Sequence, residues 1–312
     1  MIDATTGGHL WAERYDGSTS DVFDLQDKVT RKIVTALAVE LTEGQPQRTG
    51  ETQNVDAYDA FMKGWMLYRT DTPQGFVDAI PHFERAVALD PGYGRAYAAL
   101  ATVYYLGYWR NWQKPFDVLP EIREFTNDLG FVTLAFEYLD KSFVNPSPLS
   151  YILRAETLLN QPDHEGALRA VQEAVALDPN EPDSYVQLAR VLTMMGRAGE
   201  AIPLIEKAMR LNPYFPASYL AALGLAYFGL EDFEKAASVS QQAVKLSPYQ
   251  SPLVLIASYG HLDRGEDALP YIESLREQLQ THLPGYPATV RVLVNWRFPL
   301  FQHLDDRQRL ID

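Results

Sequence analysis

Cysteine is absent from this chain, which excludes disulfides, thiol nucleophiles and any metal site that depends on thiolate ligands. Positive charge is scarce: 27 lysines and arginines stand against 41 aspartates and glutamates, a net charge of −14. Such a surface repels phosphate backbones and anionic lipid, whose recognition relies on clustered basic side chains. Nucleic-acid binding by this chain is therefore not expected. Long apolar runs are missing too, so no membrane-spanning helix is predicted. The first residues show no basic region followed by an apolar core, so they are not read as a signal peptide.

Catalytic motifs are equally sparse. The histidines, His9, His82, His164, His261, His282 and His303, never fall at i and i+4, and no HExxH, GxxxxGK[ST] or GxSxG string occurs. Each histidine reads as a surface or packing residue. GYGRAY, Gly92 to Tyr97, has two of the glycines of a phosphate loop but lacks the third and links two helices. Carboxylates such as Glu231-Asp232 and Asp305-Asp306 sit at helix starts or turns, where negative charge favours the helix dipole. No catalytic, cofactor-binding or metal-ligating residue is assigned, and the chain does not read as an enzyme.

What the sequence does contain is repetition. AIPHFERAVALDP, Ala79 to Pro91, returns as AIPLIEKAMRLNP, Ala201 to Pro213, and in part as ALPYIESL from Ala268. Pro179, Pro213 and Pro248 each follow a similar helix end, at a period close to that of stacked helix–turn–helix repeats. Within one unit, Tyr185, Leu188, Ala189 and Leu192 lie on one face of a first helix. Gly196 breaks that helix, and Ala201, Ile205 and Ala208 mark the buried face of a second. Small residues let the two helices approach closely. Pro81, Pro203 and Pro270 recur two residues after the small alanine and are read as lying near helix starts, where proline costs little. The aromatic run Tyr105, Tyr108, Trp109, Trp112 and Phe116 keeps helical spacing, predicting a first helix prolonged through Phe116. It is read as covering an insert or capping a groove rather than as a stacking platform for single-stranded RNA.

These positions resemble the tetratricopeptide repeat. Gly64, Ala79, Phe83, Ala86 and Pro91 carry the pattern in the first unit, with an insertion around Thr72-Pro73-Gln74. Tyr97, Leu100, Ala101 and Tyr104 open the second, whose second helix is recognisable only around Ala135 to Ser142. Tyr151, Ala155, Ala167 and Ala174 fit the third, Leu220, Gly224, Ala236 and Ala243 the fifth, and Ala257, Ser258 and Ala268 the sixth. The fold class expected is all-α, a tetratricopeptide superhelix (an α-solenoid). Residues 55–284 form an array of about six units with an insert near 105–133, and 285–312 a capping segment.

The N-terminal part differs. HLWAERYD, His9 to Asp16, has strand character, and a helix with Ser20 as N-cap carries the stripe Val22, Leu25, Val29, Ile33 and Leu37. IDATTG followed by HLWAERYDG resembles the close of a TolB-like α/β domain, so residues 1–41 are read as its last strand and helix. The polar stretch 42–54 is read as a linker. The combination, with GHLDRGEDAL and NWRFPLFQHLDDRQRLID, resembles bacterial proteins that carry a class III adenylate/guanylate cyclase domain upstream, and some relatives with a winged-helix DNA-binding domain there. On that resemblance the chain looks trimmed at both ends and cytoplasmic, and any catalytic domain lies upstream. The implied function is a regulatory protein–protein interaction scaffold; the alternatives are the effector half of a winged-helix regulator or a stand-alone scaffold.

The resemblance also implies a binding surface. Positions 2, 5, 9 and 12 of the first helices line the concave groove in this family, which gives Arg95, Ala98, Thr102 and Tyr105; Ile152, Glu156 and Leu159; Asp183, Val186, Arg190 and Thr193; and Ser218, Ala221, Leu225 and Phe228. The mixture lacks the basic set that clamps a C-terminal carboxylate in some relatives. The expected partner is an apolar helix or extended segment of a protein, or the attached upstream domain. Some of these positions are equally readable as packing against a neighbouring unit.

Overall fold

The computed structural model describes residues 49–110, 112, 116 and 129–282, all within the unit that begins at Thr49. The strand and helix expected in residues 1–41, most of the linker and the segment 285–312 lie outside the described residues.

Twelve helices follow one another among the described residues: α1 (Val55–Tyr68), α2 (Pro73–Leu89), α3 (Gly94–Trp109), α4 (Leu129–Ser142), α5 (Pro148–Leu159), α6 (His164–Leu177), α7 (Pro182–Met194), α8 (Ala198–Leu211), α9 (Ala217–Gly229), α10 (Phe233–Leu246), α11 (Leu253–His261) and α12 (Gly265–His282). They pair as six hairpins, α1 with α2 through α11 with α12. The first helices also touch in succession, α3 on α5, α5 on α7, α7 on α9 and α9 on α11. They line up as one layer, the arrangement of an α-solenoid in which each unit buries its apolar face against its neighbours.

Small residues make that packing possible. Ala101, Ala155, Ala189 and Ser258 on first helices, and Ala79, Ala135, Ala167, Ala201, Ala236 and Ala268 on second helices, are buried. At Gly64 even a methyl group would lie 2.8 Å from the ring of Phe83. Turns between paired helices are tight, and Asp71, Gly196, Glu231 and Asp263 take left-handed backbone angles to make them. The second helices stop sharply. Asp90, Asp178 and Ser247 cap α2, α6 and α10 in extended conformation, the region favoured by a residue that precedes proline, here Pro91, Pro179 and Pro248.

Two expectations need correction. Pro81, Pro203 and Pro270 lie inside α2, α8 and α12 rather than near their starts. Each is exposed, so water can serve the carbonyl four residues earlier that the proline leaves without a donor. The aromatic run does not prolong α3 through Phe116. The helix ends at Trp109, Arg110 caps it, and the Trp112 amide turns back to the Gly107 carbonyl at 2.9 Å. Helical spacing persists beyond the helix because the aromatics pack elsewhere: Trp112 on Phe76, and Phe116 on Tyr104 and Phe131. The insertion at Thr72-Pro73-Gln74 simply lengthens α2, which has 17 residues where α6, α8 and α10 have 14. Thr72 is its N-cap, accepting from the Gly75 amide at 3.0 Å, and Pro73 occupies the first turn.

Candidate functional site

The layer of first helices bounds a cavity of about 360 Å³. Its wall is periodic. Trp65 and Arg69 come from the end of the first hairpin's α1, Thr102 and Leu106 from α3, and Ile152, Glu156 and Asn160 from α5 or its cap. Val186, Arg190 and Met194 come from α7, and Ala221 and Leu225 from α9. Tyr249, Gln250 and Ser251, in the turn between α10 and α11, complete it.

Of the fifteen residues read from the sequence as groove positions, Thr102, Ile152, Glu156, Asp183, Val186, Arg190, Ser218, Ala221 and Leu225 line this cavity. Ala98, Tyr105, Leu159, Thr193 and Phe228 do not line it and are buried, none more than 3% exposed, whereas Thr102, Val186 and Leu225 line it although they too are only 6–7% exposed. For Tyr105, Leu159, Thr193 and Phe228, all at position 12, the reason is helical phase. At 3.6 residues per turn, positions 2, 6, 9 and 13 fall within about 60° of one another, while position 12 is turned roughly another 60° aside. Position 12 therefore points into the packing between hairpins. Position 13, which supplies Arg69, Leu106, Asn160 and Met194, was missed, although the same periodicity carries it. Arg95 lines a separate hollow with Trp65, Arg69, Glu181, Asp183 and Asn212.

Electrostatics in the wall are balanced. Arg190 reaches Glu156 across neighbouring helices, Nη1 to Oε2 at 2.8 Å and Nη2 to Oε1 at 3.3 Å. The Gln187 amide donates to the same carboxylate at 2.9 Å. Arg69 lies 3.4 Å from Asp183, which also accepts from the Tyr219 hydroxyl. Arg110 pairs with Asp71. Every arginine in this cavity wall thus faces a carboxylate of the same wall. Arg95 is held by Glu51 at 2.8 Å and Glu181 at 3.5 Å, with its guanidinium over the rings of Phe61 and Trp65. Burial alone would lower the Arg95 pKa, but the two carboxylates outweigh it and keep the group charged.

Burial pushes the Tyr68 hydroxyl up to about 12 against the pull of Arg110. Burial, reinforced by Asp183, likewise raises Tyr219. Both phenols stay protonated at neutral pH and can donate hydrogen bonds. The buried hydroxyl of Ser240, also in the cavity wall, has no hydrogen-bond partner among the described residues. The surface is therefore an apolar and aromatic trough with neutral donors and internally matched charge. That chemistry suits a polypeptide segment of moderate polarity.

His261 serves packing: it stacks on Phe233 with ring centres 4.2 Å apart and meets Phe228 edge-on. Among the described residues no group of three or more His, Asp or Glu is placed to hold a metal ion, and no helix is long and apolar enough to cross a membrane.

Comparison with known proteins agrees with the hairpin geometry. Residues 186–251 match the family model described as tetratricopeptide repeat. A protein of Rhizobium meliloti named "Putative adenylate cyclase 3" is 33% identical over 203 residues, 64% of this chain and 27% of that protein. Tetratricopeptide repeat protein 13 of Homo sapiens is 31% identical over 118 residues, 37% of this chain and 13% of its own length. The chain thus spans about a quarter or less of these relatives. Among solved structures, one chain of the APC/C hetero-tetramer Cut9-Hcn1 superposes with a TM-score of 0.53 at 15% identity, covering 90% of this chain and 52% of that one. Residues 186–251 thus carry tetratricopeptide repeats, and the described residues form an α-solenoid of six helical hairpins.

Proposed function

We propose that this array is the regulatory, partner-docking portion of a bacterial nucleotide-cyclase-type signalling protein. An apolar helix or extended protein segment occupies the groove, in contact with Thr102, Ile152, Glu156, Asp183, Val186, Arg190, Ser218, Ala221 and Leu225. The observation that carries this reading is a continuous trough crossing five successive first helices with its charges already matched. An acidic or basic ligand gains little net charge pairing there, whereas an apolar one buries its side chains against Leu225, Val186 and Ile152. The cyclase association is supported by the relative named as an adenylate cyclase, whose similarity spans 203 residues of this chain. In this reading residues 1–41 close a TolB-like domain, and the catalytic domain stands upstream of it.

Two measurements test the proposal. An immunoblot of source cells with antibody to this chain is expected to show a band well above the mass of 312 residues, with cyclase sequence in its N-terminal peptides. In that parent protein, Ile152→Glu and Ala221→Glu place charge at half-buried positions of the trough and are expected to alter cyclase regulation or assembly while helicity is unchanged. A parent whose activity, assembly and regulation survive both substitutions and deletion of the array would overturn the reading.

A further inference from the structure

Asp71 occupies an unusual place. It lies in the turn between α1 and α2, with a left-handed φ of 54°, a conformation that disfavours residues other than glycine. Its carboxylate is nevertheless fully engaged by residues far along the chain. Arg110, at the end of α3, pairs with one oxygen. The other accepts from the Gln250 amide at 3.1 Å and the Ser247 hydroxyl at 3.5 Å. Aromatic rings frame these donors: the Arg110 guanidinium lies 4.9 Å from the ring centre of Trp112 and 5.5 Å from that of Phe76. Trp112 in turn meets Tyr249 edge-on at 5.3 Å. Asp71, Arg110, Tyr249 and Gln250 all belong to the wall of the groove.

The geometry points to a carboxylate-binding seat in the groove, built by Arg110, Gln250 and Ser247 and filled in cis by Asp71, which the aspartate side chain of a partner segment takes over on docking. This rests on the groove being the partner site. The donor set is complete without Asp71: a guanidinium, an amide N–H and a hydroxyl converge on one carboxylate, with the guanidinium lying over the rings of Trp112 and Phe76. The occupant is also the part best suited to leave. The Glu156–Arg190 pair joins two neighbouring helices and is fixed by their packing. Asp71 instead reaches its seat from a short turn outside the packed helices. A docked aspartate therefore exchanges one carboxylate for another, so the charge of Arg110 is never left unpaired.

The test uses the full chain and its Asp71→Gly variant, since glycine keeps the left-handed turn while emptying the seat. The probes are N-acetyl-aspartate N-methylamide, its neutral asparagine counterpart, and N-acetylglycine, whose carboxylate is terminal. At about 100 mM, the aspartate analogue is expected to raise the Tm of the variant by about 2 °C more than the asparagine analogue does. Wild type, whose seat is filled, is expected to show no such difference, and adding Arg110→Gln to Asp71→Gly removes it. Should Asp71→Gly fail to fold, Asp71→Asn replaces it, because the aspartate analogue must displace the neutral amide. Equal responses to the aspartate and asparagine analogues, an equal aspartate effect on wild type, or a preference for N-acetylglycine would overturn the inference. A seat that ignores carboxylates leaves the outcome of Ile152→Glu and Ala221→Glu in the parent protein unchanged, so the two readings fail separately.

Discussion

The side chain of Gln250 donates to the carboxylate of Asp71 at 3.1 Å across 179 residues of sequence. This contact joins the turn of the first hairpin to the turn between the fifth and sixth, so the superhelix brings distant units together over its own groove. Neighbour-to-neighbour packing alone does not produce such a contact in a solenoid. It requires the small rotation of each hairpin to accumulate, and the side chains where the units meet to be complementary. Arg110 holds the junction on both counts, pairing with Asp71 and lying over Phe76 and Trp112. Arg110→Ala is therefore expected to destabilise the array by about 2–4 kcal/mol, because it leaves a half-buried carboxylate unpaired and removes packing. Arg110→Lys is expected to recover only part of this, since an ammonium cannot reproduce a planar group stacked on rings. Urea unfolding of both variants measures the difference, and equal stability of alanine and lysine variants would contradict the role given to the stack.

Glycine positions predict opposite signs for the same substitution. A methyl group at Gly94, the first residue of α3, would fall against the backbone carbonyl of Asn145, which cannot swing away as a side-chain tip can. Gly94→Ala is expected to cost about 3 kcal/mol through forced backbone movement. At Gly260, in the last turn of α11, a methyl group meets nothing within 4 Å. Gly260→Ala is expected to stabilise by about 0.5–1 kcal/mol through helix propensity. Thermal melts of the two variants decide whether the close approach at Gly94 or general propensity controls the outcome.

The hairpins were legible because their signal is local. A small alanine, an apolar residue one turn on and a proline after the helix recur within each unit, and burial of Ala201, Ile205 and Ala208 follows from that spacing. The groove was only partly legible. Val186, Arg190 and Leu225 lie where family phase puts them, but position 13, with Asn160 and Met194, was passed over for position 12. The end of α3 was hidden because Trp112 and Phe116 keep helical spacing for tertiary reasons. The Asp71–Gln250 contact was beyond reach, since no local rule pairs side chains whose approach depends on the summed rotation of several hairpins.

Glu181 makes a pH prediction. Its pKa is raised by burial and by the neighbouring charge of Asp183, with Arg95 opposing. A carboxyl whose pKa rises on folding holds its proton more tightly in the native state. Its contribution to stability is present below the ordinary carboxylate value and lost as pH climbs through the raised native value. Glu181→Gln removes that dependence, keeps an acceptor for the Asp183 amide at the start of α7 and weakens the 3.5 Å contact with Arg95, which Glu51 still holds at 2.8 Å. The variant is therefore expected to gain on wild type as pH rises from the ordinary carboxylate value of about 4 toward neutrality. Paired melts across that range measure it, and a relative loss toward pH 7 would show that the Arg95 pairing outweighs the burial of charge.

The interior prolines give the last prediction. Pro203 lies in the second turn of α8, exposed, and leaves the Gly199 carbonyl without its helical donor. Its side chain is on the face opposite Ile205 and Ala208, so alanine there should restore one hydrogen bond without disturbing the packed side. Pro203→Ala is accordingly expected to raise stability by about 1–3 kcal/mol, the ordinary relief of a proline from a helix interior. The urea midpoint should increase with an unchanged slope. If stability falls instead, the proline acts through the curvature it imposes: the straightened helix would then lift Ala201 or Ala208 from its contact with the first helix of the hairpin. Repeating the substitution at Pro81, where α2 is three residues longer, separates the two causes. A hydrogen-bond effect recurs there at similar size, whereas a curvature effect changes with the length of helix that is straightened.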